Sequence, residues 1–122
     1  MSDEAPGTEQ MTVVGGVVYP YRRIPLSRGR FSWPFGRLTL EEAGVTLGPR
    51  GWLQRIVRPI TIPYEDLTRV EWVVPPAFLP KYAEGLRFRS RREEWDRLYF
   101  STFPRRVHRL VAALRLRGVE VR

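Results

Sequence analysis

Cysteine is absent from the 122 residues, which excludes disulfides, thiolate nucleophiles and zinc–thiolate sites together and leaves stability to packing. Histidine occurs once, as His108, and lysine once, as Lys81, among 21 basic residues. A metal centre needs several convergent ligands and a general base needs an orienting partner, so His108 reads as a surface histidine. No run of about 18 apolar residues is present, which excludes a membrane-spanning helix. The sequence also lacks a glycine-rich phosphate loop, a nucleophile elbow and any metal-spaced cluster. The acidic pairs Glu41-Glu42, Glu65-Asp66 and Glu93-Glu94 are adjacent in sequence. Neighbours on a strand face opposite ways and turns collect acids, so none forms a catalytic carboxylate pair. These absences predict a noncatalytic protein with no cofactor and no metal.

What is there suits one folded domain. A chain of 122 residues, 43% of them apolar, has room for one real core but not two. The formal net charge of +8 attracts polyanions without naming one. The arginine bias behind that charge is explained by the nucleotide composition of the coding DNA as readily as by a demand for guanidinium chemistry. Met1–Gln10 is acidic and polar and lacks the basic and apolar stretches of a secretory leader. It is expected to be a disordered tail on a cytoplasmic protein.

Residues 11–30 mix Val13, Val14, Val17 and Val18 with glycine and proline, which predicts an arm with one short strand. The signals sharpen from residue 31. Leu38 and Leu40 alternate with polar residues, Glu41-Glu42-Ala43-Gly44 turns, and Val45 and Leu47 alternate again, predicting a hairpin. Arg58 to Ile62 reads as a strand, with Pro59 marking an edge or a start. A helical turn at Pro63 to Leu67 leads into a strand from Thr68 to Val74, with Val70, Trp72 and Val74 on its inner face. After a proline-rich connector, Gly85 to Arg91 and Trp95 to Ser101 form a second hairpin, turned by Arg92-Glu93-Glu94. Leu86, Phe88 and Ser90 point one way along it and Arg87, Arg89 and Arg91 the other. The chain closes on a helix from Thr102 to about Arg117. Ser101 or Thr102 is expected to cap it, Pro104 to occupy its first turn and Gly118 to stop it. Phe103, Val107, Leu110, Val111 and Leu114 recur at helical spacing as one buried stripe, with Arg105, Arg109 and Arg115 on the other side.

This order of elements, with Trp33-Pro34-Phe35-Gly36-Arg37-Leu38-Thr39-Leu40, Gly44-Val45-Thr46-Leu47 and Ile62-Pro63-Tyr64-Glu65-Asp66-Leu67-Thr68-Arg69-Val70, resembles bacterial PH-like domains. The resemblance runs from about Phe31 to Val119, so residues 31–122 form the expected domain. It implies a mainly β split barrel of two near-orthogonal antiparallel sheets capped by the terminal helix, as in the PH and GRAM superfamily. Two departures from that family bear on ligand. Lipid-binding PH domains share a basic signature across their first hairpin, whereas the turn here is Glu41-Glu42-Ala43-Gly44, which repels an inositol phosphate. Their final helix usually carries a tryptophan, and none lies between Thr102 and Gly118.

Three surfaces are candidates for binding. Arg87, Arg89, Arg91 and Arg92, with Arg97 and Tyr99 on the partner strand, could grip phosphate or carboxylate bidentately. The bland alternative, which the sequence favours, is a solvated face neutralised by Glu93, Glu94 and Asp96. Arg50, Trp52, Arg55 and Arg58 place a tryptophan among cations, suited to a membrane interface or a stacking partner. The area that a buried tryptophan removes from water favours Trp52 folding back over an open end of the fold. Phe78, Leu79 and Tyr82 in the connector either make a protein contact or complete the core.

The resulting expectation is a noncatalytic PH-like scaffold that engages a protein partner or a second copy of itself. Peripheral attachment to anionic lipid at the inner face of the membrane, through Trp52 and the arginines, is the alternative. Nucleic acid ranks below both, because the aromatics form no stacking platform and no groove-reading motif is present.

Overall fold

Apolar alternation marks several strands of this protein, and a helical stripe closes them. In the computed structural model, which describes residues 10–19, 30–55, 57–73 and 84–122, the strands are β1 (Met11–Val18), β2 (Arg30–Leu40), β3 (Gly44–Pro49), β4 (Ile60–Pro63), β5 (Leu67–Val73), β6 (Glu84–Ser90) and β7 (Leu98–Thr102). One helix, α1 (Pro104–Leu116), follows them. All strand pairs are antiparallel, in one unclosed sheet of order β4-β3-β2-β1-β7-β6-β5. The two end strands, β4 and β5, are joined only by the 3-10 turn Tyr64–Asp66. A connection that short requires the sheet to curl until its ends approach each other. Both predicted hairpins are present, β2–β3 with Leu40 opposite Val45 and β6–β7 with Phe88 opposite Leu98.

The segment that reads as an arm in the sequence contains the central strand. Met11 to Gly15 of β1 pair with Gly36 to Leu40 of β2, and Val17 and Val18 resume that pairing with Phe31 and Arg30, while on the other side Gly16, Val17 and Val18 pair with Ser101, Phe100 and Tyr99 of β7. Gly15 and Gly36 face each other at the last pair before the β1–β2 register shifts, next to the point where β7 begins to pair with β1. A Cβ at Gly15 would run into the Ser101 carbonyl and the Phe100 ring, so the position is open only to glycine. At the same place Gly16 alone spans the interval that Ser32, Trp33, Pro34 and Phe35 occupy on β2. Within this bulge Trp33 and Phe35 are exposed, and the Trp33–Pro34 peptide is cis.

The inner face gathers Leu38, Leu40, Val45, Leu47, Ile62, Val70, Leu86, Phe88, Leu98 and Phe100, all fully or almost fully buried. Helix α1 covers them with Val107, Leu110, Val111 and Leu114. Burying four such side chains contributes about 1.5–3 kcal/mol each by transfer from water. Phe103 departs from the predicted stripe. It is the N-cap residue, extended and 37% exposed. The predicted hydroxyl cap is also absent, because Thr102 Oγ1 donates instead to the Val14 carbonyl at 2.9 Å, tying β7 to β1. Trp95, expected in a strand, lies in a 3-10 turn at Glu93–Trp95.

The stop at Gly118 forms as expected. Gly118 has φ +82°, its N–H donates to the Arg115 carbonyl, and the Val119 N–H reaches back to Leu114, each at 3.0 Å. This is a Schellman closure, with buried Val119 beside buried Leu114. Beyond it, Glu120 to Arg122 runs parallel to β5. Val70 N–H donates to Glu120 O (2.8 Å), Arg122 N–H to Val70 O (3.0 Å) and Trp72 N–H to Arg122 O (2.7 Å). The free edge of β5 is thereby covered.

Candidate functional site

The arginine face of β6 and β7 is assembled by register. Arg87 lies opposite Glu71 of β5 and Tyr99 of β7, and Arg89 opposite Arg69. The array is largely tied up by carboxylates. Arg89 donates to both oxygens of Asp96, at 2.9 and 3.4 Å, and to Glu71 at 3.5 Å. Arg69 also reaches Glu71, at 3.2 Å, Arg92 pairs with Asp66 at 3.6 Å, and Arg97 lies 3.9 Å from Asp96. Arg92 additionally stacks on Trp95, 4.8 Å from the ring centroid. Of the neutralising acids foreseen in the sequence, Asp96 acts as expected, while Glu71 and Asp66 come from other strands and turns. Burial opposes ionisation of Asp96, but the bonds from Arg89 and the Ser90 N–H outweigh it and hold its carboxyl below the usual carboxylate range.

Among the described residues, Arg87 and Arg91 make no ion pair. Arg87 faces Tyr99, whose ring is buried and whose hydroxyl has no hydrogen-bond partner. Burial raises the Tyr99 pKa, and the nearby Arg87 charge offsets part of that rise.

The second candidate, around Trp52, stands in a 3-10 turn at Gly51–Arg55. Trp52 is 68% exposed, so it does not fold back over the core. Leu53 and Val57 pack there in its place. Arg50, Arg55 and Arg58, its neighbours in sequence, are all exposed. The third candidate, Phe78, Leu79 and Tyr82, lies outside the described residues, as does Val74.

His108 is exposed on α1 yet has neighbours. Its ring meets Trp72 edge-on at 4.7 Å, and its Nε2 lies 3.9 Å from Glu84 Oε2, which also accepts the Trp72 indole N–H at 2.9 Å. One histidine and one acid do not supply the several ligands of a metal centre. No group of three or more His, Asp or Glu that could hold a metal ion occurs among the described residues.

The feature absent from the sequence-based list is aromatic. Trp33 and Phe35, in the β2 bulge, are 53% and 55% exposed. Trp33 meets Phe103 edge to face, with centroids 5.7 Å apart, and Arg106 lies over the other ring at 5.3 Å. On the opposite side Arg50 donates its backbone N–H to Phe35 O at 2.8 Å and its guanidinium to Pro34 O at 3.3 Å. A signal for this surface exists in the sequence. Leu38 and Leu40 fix the inward parity of β2, and extending it backwards puts Trp33 and Phe35 on the same side as polar Arg37 and Thr39.

No family model matches the chain, and a search of curated proteins finds no match. No helix among the described residues is long and apolar enough to cross a membrane.

Proposed function

We propose that this protein is a noncatalytic PH-like binding domain that engages a protein partner. The observation that carries the reading is that Trp33 and Phe35 stay more than half exposed outside a core that is already closed by α1. Large aromatics cost free energy in water, and a surface that keeps several of them beside arginine has the composition of a contact hot spot. The PH-like part of the reading is supported by the strand order, by the curl that brings β4 and β5 together, and by the single C-terminal helix over the open core. Fold alone names no ligand. Nothing among the described residues converges as a nucleophile, base and oxyanion site would, which supports binding over chemistry.

One observation favours a second reading. Exposed Trp52 stands in a turn whose sequence neighbours Arg50, Arg55 and Arg58 are also exposed, a composition suited to a peripheral anchor on anionic lipid. Co-sedimentation with phosphatidylcholine vesicles, with and without phosphatidylglycerol, separates the two. Protein binding as the main role predicts no sedimentation at physiological salt. Sedimentation confined to anionic vesicles and lost in Trp52→Ala and Arg55→Glu variants selects the membrane.

A further inference from the structure

We propose that Arg106, Phe103, Trp33, Phe35 and Arg50 form one docking ridge for a segment of another protein that carries an apolar side chain between carboxylates. The proposal rests on the binding-domain reading and names the chemistry of its partner. Each link of the ridge is a physical contact. Arg106 covers Phe103, Phe103 supports Trp33 edge to face, Trp33 continues through Pro34 to Phe35, and Arg50 is bonded to the carbonyls of Pro34 and Phe35. The centre is apolar and the two ends are cationic.

Three observations choose the occupant. Arg50, Arg105 and Arg106 are exposed and enter no ion pair among the described residues, unlike the network on β6 and β7. Their charge is available to a partner, and complementary charges at a solvent-accessible rim give specificity and on-rate. Next, Arg105 and Arg106 occupy the first turn of α1, which contains no acidic residue. Cations at the positive end of a helix are electrostatically unfavourable, and a carboxylate arriving there relieves that repulsion. Finally, a second copy is a poor occupant, because a two-fold contact would set arginine against arginine on molecules that each carry +8.

The geometry also separates this surface from a membrane anchor. Trp33 has one edge packed against Phe103, and that ring is in turn covered by Arg106. The rings form a preorganised shelf, which lowers the ordering cost for an incoming segment. A bilayer anchor instead inserts a side chain from a loop tip, as Trp52 is placed to do.

The test selects a random-peptide display library against the immobilised full chain and measures the enriched peptide by fluorescence anisotropy at low and physiological salt. The expected consensus places Asp or Glu on both sides of an aromatic, Leu or Pro residue. Affinity is expected to fall about tenfold or more in Trp33→Ala and in Phe35→Ala, and similarly in the Arg50→Glu, Arg106→Glu double variant, while Trp52→Ala leaves it unchanged. Thermal unfolding of each variant accompanies the titrations, and Phe35→Ala and Arg50→Glu carry the test should Trp33→Ala fail to fold. A consensus without acids, or affinity unchanged in Phe35→Ala and Arg50→Glu, overturns the ridge. Affinity lost in Trp52→Ala instead also overturns the ridge but leaves the wider binding reading standing. No enriched peptide overturns the ridge, and sedimentation only on phosphatidylglycerol vesicles beside that result overturns the wider protein-binding reading as well.

Discussion

The ring of Tyr99 lies across Gly85, so close that a Cβ at position 85 would coincide with the phenol. In the ladder Gly85 pairs with Ser101 and Tyr99 with Arg87, so the tyrosine reaches diagonally over the glycine. Both residues are buried. Gly85→Ala must therefore displace Tyr99, and the expected cost is about 2 kcal/mol or more. In a Tyr99→Ala background the same substitution should cost less than about 1 kcal/mol. A double-mutant cycle by urea denaturation measures the coupling. Equal costs in the two backgrounds would place the clash elsewhere.

The Tyr99 hydroxyl is itself a liability, being buried without a hydrogen-bond partner. Tyr99→Phe removes a polar atom that gains nothing from the fold, so stability near neutral pH should stay level or rise by up to about 1 kcal/mol. The alkaline limb carries the sharper test. Burial raises the folded-state pKa above the ordinary 10.0, so the folded state holds the proton more tightly than the unfolded one. Stability is then full below the ordinary value and declines as pH rises from it through the raised folded value. Unfolding followed across that range should show a shallower decline in Tyr99→Phe than in the parent.

Asp96 gives the complementary dependence at acid pH. Its carboxylate accepts from Arg89 twice and from the Ser90 N–H at 3.0 Å, which holds its pKa below the ordinary 3.8. The unfolded state binds the proton more readily, so the contribution is full above 3.8 and disappears as pH falls through the depressed folded value. Asp96→Asn should cost about 1–2 kcal/mol at neutral pH and flatten the acid limb of the stability curve. An acid limb that is unchanged in the variant would assign that limb to other carboxylates.

The second hairpin shows how far the sequence reaches. Alternation places Leu86 and Phe88 inward and Arg87 and Arg89 outward, as the structure has them, because a period of two fixes faces without any partner. Which acids meet those arginines is a different matter. Glu71 is 18 residues from Arg89, and only the β5–β6 register brings them together. The central strand was hard to read for a related reason. Gly15 and Gly16 interrupt its valines, and the need for glycine there arises from β7, 85 or so positions later in the chain. The N-cap is a case of competition, since Thr102 is a good capping residue whose hydroxyl is claimed by Val14 across the sheet. Trp33 and Phe35 were legible by parity, but their meeting with Phe103 depends on the bulge in β2 and on where α1 begins.

The C-terminal segment offers a test of how the β5 edge is held. Val70 and Trp72 send their N–H groups to Glu120 O and Arg122 O, and alternation turns the amides of Arg69 and Glu71 toward β6. Arg122→Pro keeps the carbonyl that accepts from Trp72, deletes the donor to Val70 O together with the exposed Arg122–Glu120 ion pair, and should cost about 1 kcal/mol. Ending the chain at Val119 removes all three bonds and the buried Val121 side chain, for a loss of about 2–4 kcal/mol. Amide hydrogen exchange localises the effect. In the shortened chain Val70 and Trp72 should lose protection well before Arg69 and Glu71, because only the first pair faces the vacated edge. A newly exposed strand edge also pairs readily with other chains, so the shortened protein should self-associate at concentrations where the parent does not. If Val70 and Trp72 exchange as slowly as in the full chain, the edge is held by packing rather than by this terminal strand.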